Sequence, residues 1–156
     1  MGISTAIGGA FAKGQLAAAQ MIPAGGCVFV SVRDQDKSRV IPVVQQLLQC
    51  EFEVVATAGT ATFLQQAGLQ VKKVNKVHEG RPHIVDYIKN KQIDFIINTT
   101  AGAQAVDDSK MIRRSAVAAQ VCYVTTLAGA EAACRGMLYA PELAVCSVQQ
   151  WHLYAI

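Results

Sequence analysis

Charge is scarce in this chain: Asp, Glu, Lys and Arg make up 16% of its 156 residues, and the formal net charge is only +3. No run of Lys and Arg exceeds two adjacent residues, so the basic stripe that a nucleic-acid partner requires is missing. No stretch approaches 18 uninterrupted apolar residues, and residues 1–30 hold no basic segment leading into an apolar core. A membrane span and a secretory leader are therefore not expected, and the chain reads as soluble and cytoplasmic. C-x-x-C is absent, which removes a zinc knuckle and a dithiol redox pair. Cys27, Cys50, Cys122, Cys134 and Cys146 are odd in number and widely spaced; they read as small buried hydrophobes of a reducing compartment. His78, His83 and His152 fall at neither H-x-x-H nor H-x-x-x-H spacing, so no metal site is expected. G-x-S-x-G, the Walker Lys-Ser/Thr and G-x-G-x-x-G are all missing, and no catalytic constellation stands out, which turns the reading toward binding.

What is present is apolar content, 52% of residues, enough for one compact domain and too little chain for two. Residues 1–26 are Ala-rich up to the breaker cluster Pro23-Ala24-Gly25-Gly26 and read as a helical connector from a preceding domain, or else as a terminal packing helix. The poorly charged surface leaves open whether a partner covers it. From Cys27 onward strand-like and helix-like runs alternate. Strands are expected at 27–32, 52–56, 71–74, 94–98 and 121–125, with helices at 37–49, 60–67, 83–90, 109–119 and 128–137. Pro42 is tolerated in the first of these helices only within its first turn. Such alternation gives an α/β fold over residues 27–139: a single three-layer, Rossmann-like domain whose mostly parallel sheet of about five strands is covered on both faces. Residues 140–156 form a tail with a strand candidate at 145–148, and Trp151 is expected to anchor packing.

In a sheet of this kind ligands bind beyond the carboxyl ends of the strands, where four segments bring polar groups. They are Ser31 with Arg33-Asp34-Gln35-Asp36-Lys37, then Thr57-Ala58-Gly59-Thr60, then Asn98-Thr99-Thr100, and last Thr125-Thr126. Thr57-Ala58-Gly59-Thr60 spans a strand-to-helix junction, where glycine permits close backbone approach and free N–H groups attract a phosphate. Ordinary capping by Thr57 or Thr60 is the plainer alternative. Three polar residues directly after an apolar strand are costly unless they meet solvent or a ligand, so the segments together point to an anion pocket. Lys76 and Lys37 are placed to reach a phosphate. His78 and Glu79 are expected to fix their own loop, and Arg81 to pair with an acid. Asp107-Asp108 are expected to open a helix, with Arg113-Arg114 pairing to them or reading phosphate.

The segments AFAKGQLAA, SVRDQDKSRV, ATAGTATFLQQAG, VNKVHEGRPHIVDYIKN, IINTTAGAQAVDDSKMIRRSA and YVTTLAG closely resemble the carboxyl-terminal regulatory domain of the large chain of bacterial carbamoyl-phosphate synthetase. That domain has the methylglyoxal-synthase-like fold. The resemblance runs from about Phe11 to Met137, and VCSVQQWH extends it into the tail. It implies a non-catalytic regulatory domain without a cofactor of its own, binding UMP as inhibitor or IMP as activator. Carried over by motif, Ser31, Lys37, Thr57, Thr60, Lys76, Asn98, Thr99 and Thr100 would surround the effector, and Tyr123 with Thr125 would belong to an ornithine-linked boundary. The parent would make carbamoyl phosphate from bicarbonate, ATP with Mg or Mn, and ammonia drawn from glutamine by a small glutaminase chain, for pyrimidine and arginine synthesis. Implied partners are thus the nucleoside monophosphate, the synthetase domains of the same chain and that small chain; weak self-association is expected from the apolar amino-terminal arm. A stand-alone methylglyoxal-synthase-like lyase is the alternative. It would need an aspartate where this chain has Arg81 and another acid near Ala101-Gly102. Ala58 stands where many such domains carry His, removing one polar contact to the nucleotide.

Overall fold

The computed structural model describes residues 1–99, 103–139 and 144–154. Strands β1 (Cys27–Ser31), β2 (Glu53–Thr57), β3 (Lys72–Val74), β4 (Phe95–Asn98) and β5 (Cys122–Val124) form one sheet in the order β3-β2-β1-β4-β5. Every neighbouring pair is parallel, as the alternating pattern requires. Helices α2 (Lys37–Gln49), α3 (Ala58–Gln66) and α6 (Leu127–Met137) cover one face, and α4 (Ile84–Lys89) and α5 (Ala103–Ala118) the other. The chain therefore leaves β1 in one direction and reaches β4 by crossing to the opposite face. The resulting crevice between β1 and β4 is where a doubly wound sheet accepts ligands.

Alternation along the strands divides the core. Val28 and Val30, Val54 and Ala56, and Phe95 and Ile97 pack toward α2, α3 and α6, whereas Phe29, Val55, Val74 and Ile96 pack toward α4 and α5. The amphipathic spacing of Val40, Val43, Val44 and Leu47 buries one stripe of α2, so the helix forms despite Pro42. That proline was expected within the first turn; it lies in the second, because the helix already starts at Lys37. Its ring is exposed, and so the carbonyl that loses a backbone donor can turn to water. Cys122 and Cys134 are buried, and burial pushes their thiols up to about 11 and about 12 respectively. Cys27 and Cys50 are only half-buried and Cys146 is exposed, against the expectation of a uniformly buried set.

Two element assignments change. Helix α5 begins at Ala103 rather than 109, so Asp107 and Asp108 lie in its second turn instead of opening it. Asp107 pairs with Lys110 at 3.0 Å and Asp108 with His78 at 2.8 Å, while Arg113 stacks over the Tyr123 ring at 5.4 Å. The expected strand at 145–148 is replaced by α7 (Val148–Tyr154). Ser147 starts it through a capping box: its Oγ accepts from Gln150 N at 3.2 Å, and Gln150 Oε1 accepts from Ser147 N at 3.0 Å. Lys13 lies over the Trp151 ring at 5.7 Å, which ties α7 to α1 (Ile7–Ala17).

Helix α1 itself packs on α6 through small residues. A Cβ on Gly8 would stand 2.5 Å from the Arg135 carbonyl oxygen, and one on Gly136 would stand 2.8 Å from Ile22 Cδ1. The glycines weaken α1 as a free helix by roughly 0.5–1 kcal/mol each relative to Ala, and the close crossing they allow offsets that cost by burying Ala12 and Ile22 with Met137. Gly8→Val is accordingly expected to detach α1 at a cost of about 1–3 kcal/mol. Hydrogen exchange should show faster amides in α1 with β1 and β4 still protected; unchanged α1 protection would contradict the crossing.

A second brace fixes the loop after β1, where a short 3-10 turn (Asp34–Asp36) leads into α2. Asp36 is buried, and its Oδ2 accepts from Arg33 Nε at 2.7 Å. Burial acts to raise the Asp36 carboxyl, but hydrogen bonds from Arg33 and Thr99 and the charges of Arg33 and Arg39 outweigh it, so it is held below the usual carboxylate range. A depressed folded-state pKa gives stability that is complete above the unfolded-state value and is lost as pH falls through the folded one. Asp36→Asn is therefore expected to lower stability by about 1 kcal/mol at neutral pH and to flatten the loss below about pH 4. Urea midpoints measured from pH 7 to pH 2 test this, and parallel curves for both proteins would contradict it.

Candidate anion site at the strand ends

Register brings the polar residues into one row. Asn98 pairs with Ser31 across β4 and β1, and Val74 pairs with Thr57 across β3 and β2. Continuing the β1–β2 register one step beyond Val30 and Ala56 sets Thr57 beside Ser31. All three polar side chains then project on the α4–α5 face, two residues past Phe29, Val55 and Ile96. Hydrophobic strands that end in this row give the sheet a polar carboxyl edge above a sealed core.

The hydroxyls in the row are held loosely. Thr57 Oγ1 lies 3.4 Å from both Ser31 Oγ and Thr60 Oγ1, and Thr60 Oγ1 accepts from Val32 N at 3.4 Å. These contacts are long against the usual 2.7–2.8 Å between hydroxyls and 2.9–3.0 Å from an N–H donor. Thr57 and Thr60 are nonetheless buried, and buried hydroxyls without close partners favour an added acceptor. Thr57 occupies the N-cap of α3 but makes no side-chain capping bond, so simple capping does not account for its hydroxyl.

Cations close the other side. Lys37 Nζ lies 3.7 Å from where a Cβ on Gly59 would stand, which sets its ammonium beside the first turn of α3. Both the lysine and the helix N-terminus are positive, and an anion between them relieves the repulsion. Asp34 partly serves that purpose: its Oδ1 is 2.8 Å from Lys37 Nζ, although its side chain is 93% exposed against 22% for the lysine. The hydrogen bond and charge of Lys37, with a smaller contribution from Lys76, lower the Asp34 pKa. Lys76 itself lies in the loop after β3. That loop is pinched at its base by the Asn75–His83 bridge, and Glu79 Oε2 accepts from Lys76 N at 2.9 Å. His78 Nε2 lies 2.8 Å from Asp108 Oδ1 on α5, and Glu79 holds the backbone of its own loop as expected. Arg81 is more loosely engaged, 3.9 Å from Asp86 Oδ1.

The remaining sequence candidates divide. Thr99 Oγ1 accepts from Arg33 N at 3.1 Å and bonds Asp36, so this hydroxyl braces the β1–α2 loop. Asn98 is buried and donates to Ser109 and Tyr123. Thr100, together with Ala101 and Gly102, lies outside the described residues. Tyr123 sits half-buried on the edge strand, while Thr125 is exposed just beyond it. Thr126 caps α6 by accepting from Gly129 N at 3.1 Å. Ser109 and Asp36 were not singled out as site-forming by their sequence context. Ser109 lies inside a helix whose apolar spacing gives no sign of a polar contact, and Asp36 looks like one of several loop charges until its burial is seen.

A second basic place lies between α4 and α5, an open groove of about 570 Å³ whose lining includes Lys89, Lys91 and Arg114 with Met111 and Val85. Lys89 and Lys91 flank the carboxyl end of α4, whose dipole already favours cations. The strand-end candidate has the opposite helix polarity, the start of α3 instead of the end of a helix.

The match to known proteins agrees with this architecture. Residues 39–125 match the family model described as "MGS-like domain". The chain is 49% identical over 152 residues to the carbamoyl phosphate synthase large chain of Pseudomonas putida, covering 97% of this chain and 14% of that one. It is 50% identical over 155 residues to the same protein of Halomonas eurihalina and 51% identical over 133 residues to that of Rhizobium meliloti. The chain thus spans about one seventh of the length of the first two of these relatives. Methylglyoxal synthase from Elizabethkingia anophelis NUHP1 superposes with a TM-score of 0.60 at 20% identity, covering 84% of this chain and 91% of that one, a likeness of fold. The five-stranded parallel sheet, the strand-end site and the matched residues make this chain a member of the MGS-like domain family, similar to a region of the carbamoyl phosphate synthase large chain.

Proposed function

We propose that this chain is the regulatory domain of a glutamine-dependent carbamoyl phosphate synthase large chain and that its strand-end site binds a nucleoside monophosphate, UMP as inhibitor or IMP as activator. The observation that carries the reading is the ammonium of Lys37 held beside the uncapped start of α3 at Gly59. Around it lie the loosely paired hydroxyls of Ser31, Thr57 and Thr60. A phosphate there accepts from hydroxyls and helix N–H groups and replaces Asp34 as the partner of Lys37, while Lys76 approaches from its tethered loop. In this reading Asn98, Thr99 and Thr100 belong to the residues that surround the effector, and Tyr123 with Thr125 belongs to an ornithine-responsive boundary.

The parent enzyme would make carbamoyl phosphate from bicarbonate, ATP with Mg or Mn, and glutamine-derived ammonia supplied by a small glutaminase chain. The domain contributes control instead of chemistry: a ligand acts only through the difference in its affinity for two arrangements of the parent. An apolar surface supports a covering neighbour. Ile7, Met21, Leu138, Val145 and Leu153 are all more than 60% exposed, on or next to α1, α6 and α7. Arg81, 78% exposed and only distantly paired with Asp86, stands where a lyase of this fold would need its aspartate, and a guanidinium cannot serve as the proton acceptor.

Calorimetric titration of the chain with UMP, IMP and inorganic phosphate tests the proposal. Saturable UMP binding is expected, weakened roughly tenfold by Lys37→Ala. Gly59→Ala should weaken it as well without lowering the melting temperature, since alanine is the better helix residue and its methyl would meet Lys37 Nζ at ordinary contact distance. Failure of both nucleotides to bind, or binding insensitive to Lys37→Ala, would contradict the reading.

A further inference from the structure

Asn98 ends β4 in the middle of the polar row and is only 4% exposed. Its Nδ2 lies 3.2 Å from Ser109 Oγ and 2.9 Å from Tyr123 OH, and those two hydroxyls are 3.1 Å apart. Three mutual contacts close a triangle of polar atoms. A count of hydrogens fixes its chemistry. The two hydroxyls supply one hydrogen each, whereas three contacts require three. If the amide oxygen stood at the corner, only two protons would serve three contacts and one edge would set lone pairs against each other. With the amide nitrogen there, four hydrogens serve three contacts. The triangle thus commits both N–H groups of Asn98 to the protein and leaves Oδ1 without a side-chain partner among the described residues.

An amide oxygen accepts and does not donate, so Asn98 offers nothing to the oxygens of a phosphate dianion and can take a hydroxyl proton from a sugar. Resting on the nucleotide-binding reading above, we propose that Ser109, with Tyr123, is a positioning residue that turns the Asn98 carboxamide so that the site selects a ribosyl phosphate over a phosphate lacking sugar hydroxyls. Ser109 reaches this place from α5, and Arg113 one turn further along the same helix lies over the Tyr123 ring at 5.4 Å, holding the second corner. A helix and the edge strand thereby determine which atom Asn98 presents at the crevice between β1 and β4. Without the Ser109 hydroxyl the carboxamide is free to turn over and present a donor, and the distinction between sugar and phosphate is lost.

The test compares UMP, its 2′,3′-dideoxy analogue and inorganic phosphate on the wild-type chain and on Ser109→Ala, Ser109→Thr and Tyr123→Phe. The wild type should favour UMP over the dideoxy analogue by roughly tenfold, the effect of one buried hydrogen bond. Ser109→Ala and Tyr123→Phe should erase that preference while phosphate affinity stays within about twofold, and Ser109→Thr should restore it. A general loss of structure would instead weaken all three ligands together. Equal binding of UMP and the dideoxy analogue by the wild type, or a preference that survives in Ser109→Ala, would overturn the proposal. The triangle is judged separately without ligand, by exchange of the Asn98 side-chain amide protons. They should exchange slowly in the wild type and fast in Ser109→Ala; equal rates would overturn the proposal even with UMP bound, whereas slow exchange without binding of any of the three ligands would sink the nucleotide reading that it requires.

Discussion

Everything at this site depends on the parallel register of β2, β1 and β4. Val55, Phe29 and Ile96 seal the core beneath α4 and α5, and two residues later along the same strands Thr57, Ser31 and Asn98 stand on that face. A slip of one residue would send each hydroxyl to the other face and break both the core and the site. The register is thus specified by burial, and the polar row follows from it. Because helices leave β1 and β4 toward opposite faces, that row faces an open crevice.

The row is not uniform in how tightly it is held. At the β2 end the Ser31, Thr57 and Thr60 hydroxyls lie at 3.4 Å from one another or from backbone. At the β4 end the contacts of Asn98, Ser109 and Tyr123 run from 2.9 to 3.2 Å. Between them Thr99 and Arg33 lock Asp36 beneath the loop that carries Lys37. A loose cluster beside two lysines and a helix start has unspent hydrogen-bonding capacity, while a saturated cluster sets orientation. The division suits a ligand with a strongly charged end and a neutral, hydroxyl-bearing end.

The sequence was most legible where burial repeats. Runs such as CVFVSV and DFIIN, bounded by turns, gave all five strands, and the Val40, Val43, Val44 and Leu47 stripe gave α2. The place of Lys37 and of the Thr57-Ala58-Gly59-Thr60 junction beyond the strands followed from the same alternation, whereas their use there is not written in it. Less visible were features that depend on what lies across the fold. The S-x-x-Q box at Ser147 and Gln150 is present in the letters, but Val145 and Val148 beside it read as strand. Ser109 gave no signal at all, since only the packing of α5 beside β5 brings its hydroxyl to Asn98. Asp107 and Asp108 suggested a helix start, yet their partners Lys110 and His78 stabilise them further along α5. Gly8 and Gly136 argue against helix by propensity and become intelligible only through the crossing of α1 on α6.

The central claim is that the anion site lies at the carboxyl edge of β1, β2 and β4. Amide chemical shifts recorded during a UMP titration address it most directly, because two basic places on this molecule are spatially distinct. The account expects saturable shifts at Ser31 to Lys37, Thr57 to Thr60 and Asn98 to Thr99, with α1 and α7 unmoved. Shifts confined to Lys89, Lys91 and Arg114 in the groove between α4 and α5, with the strand ends silent, would contradict it.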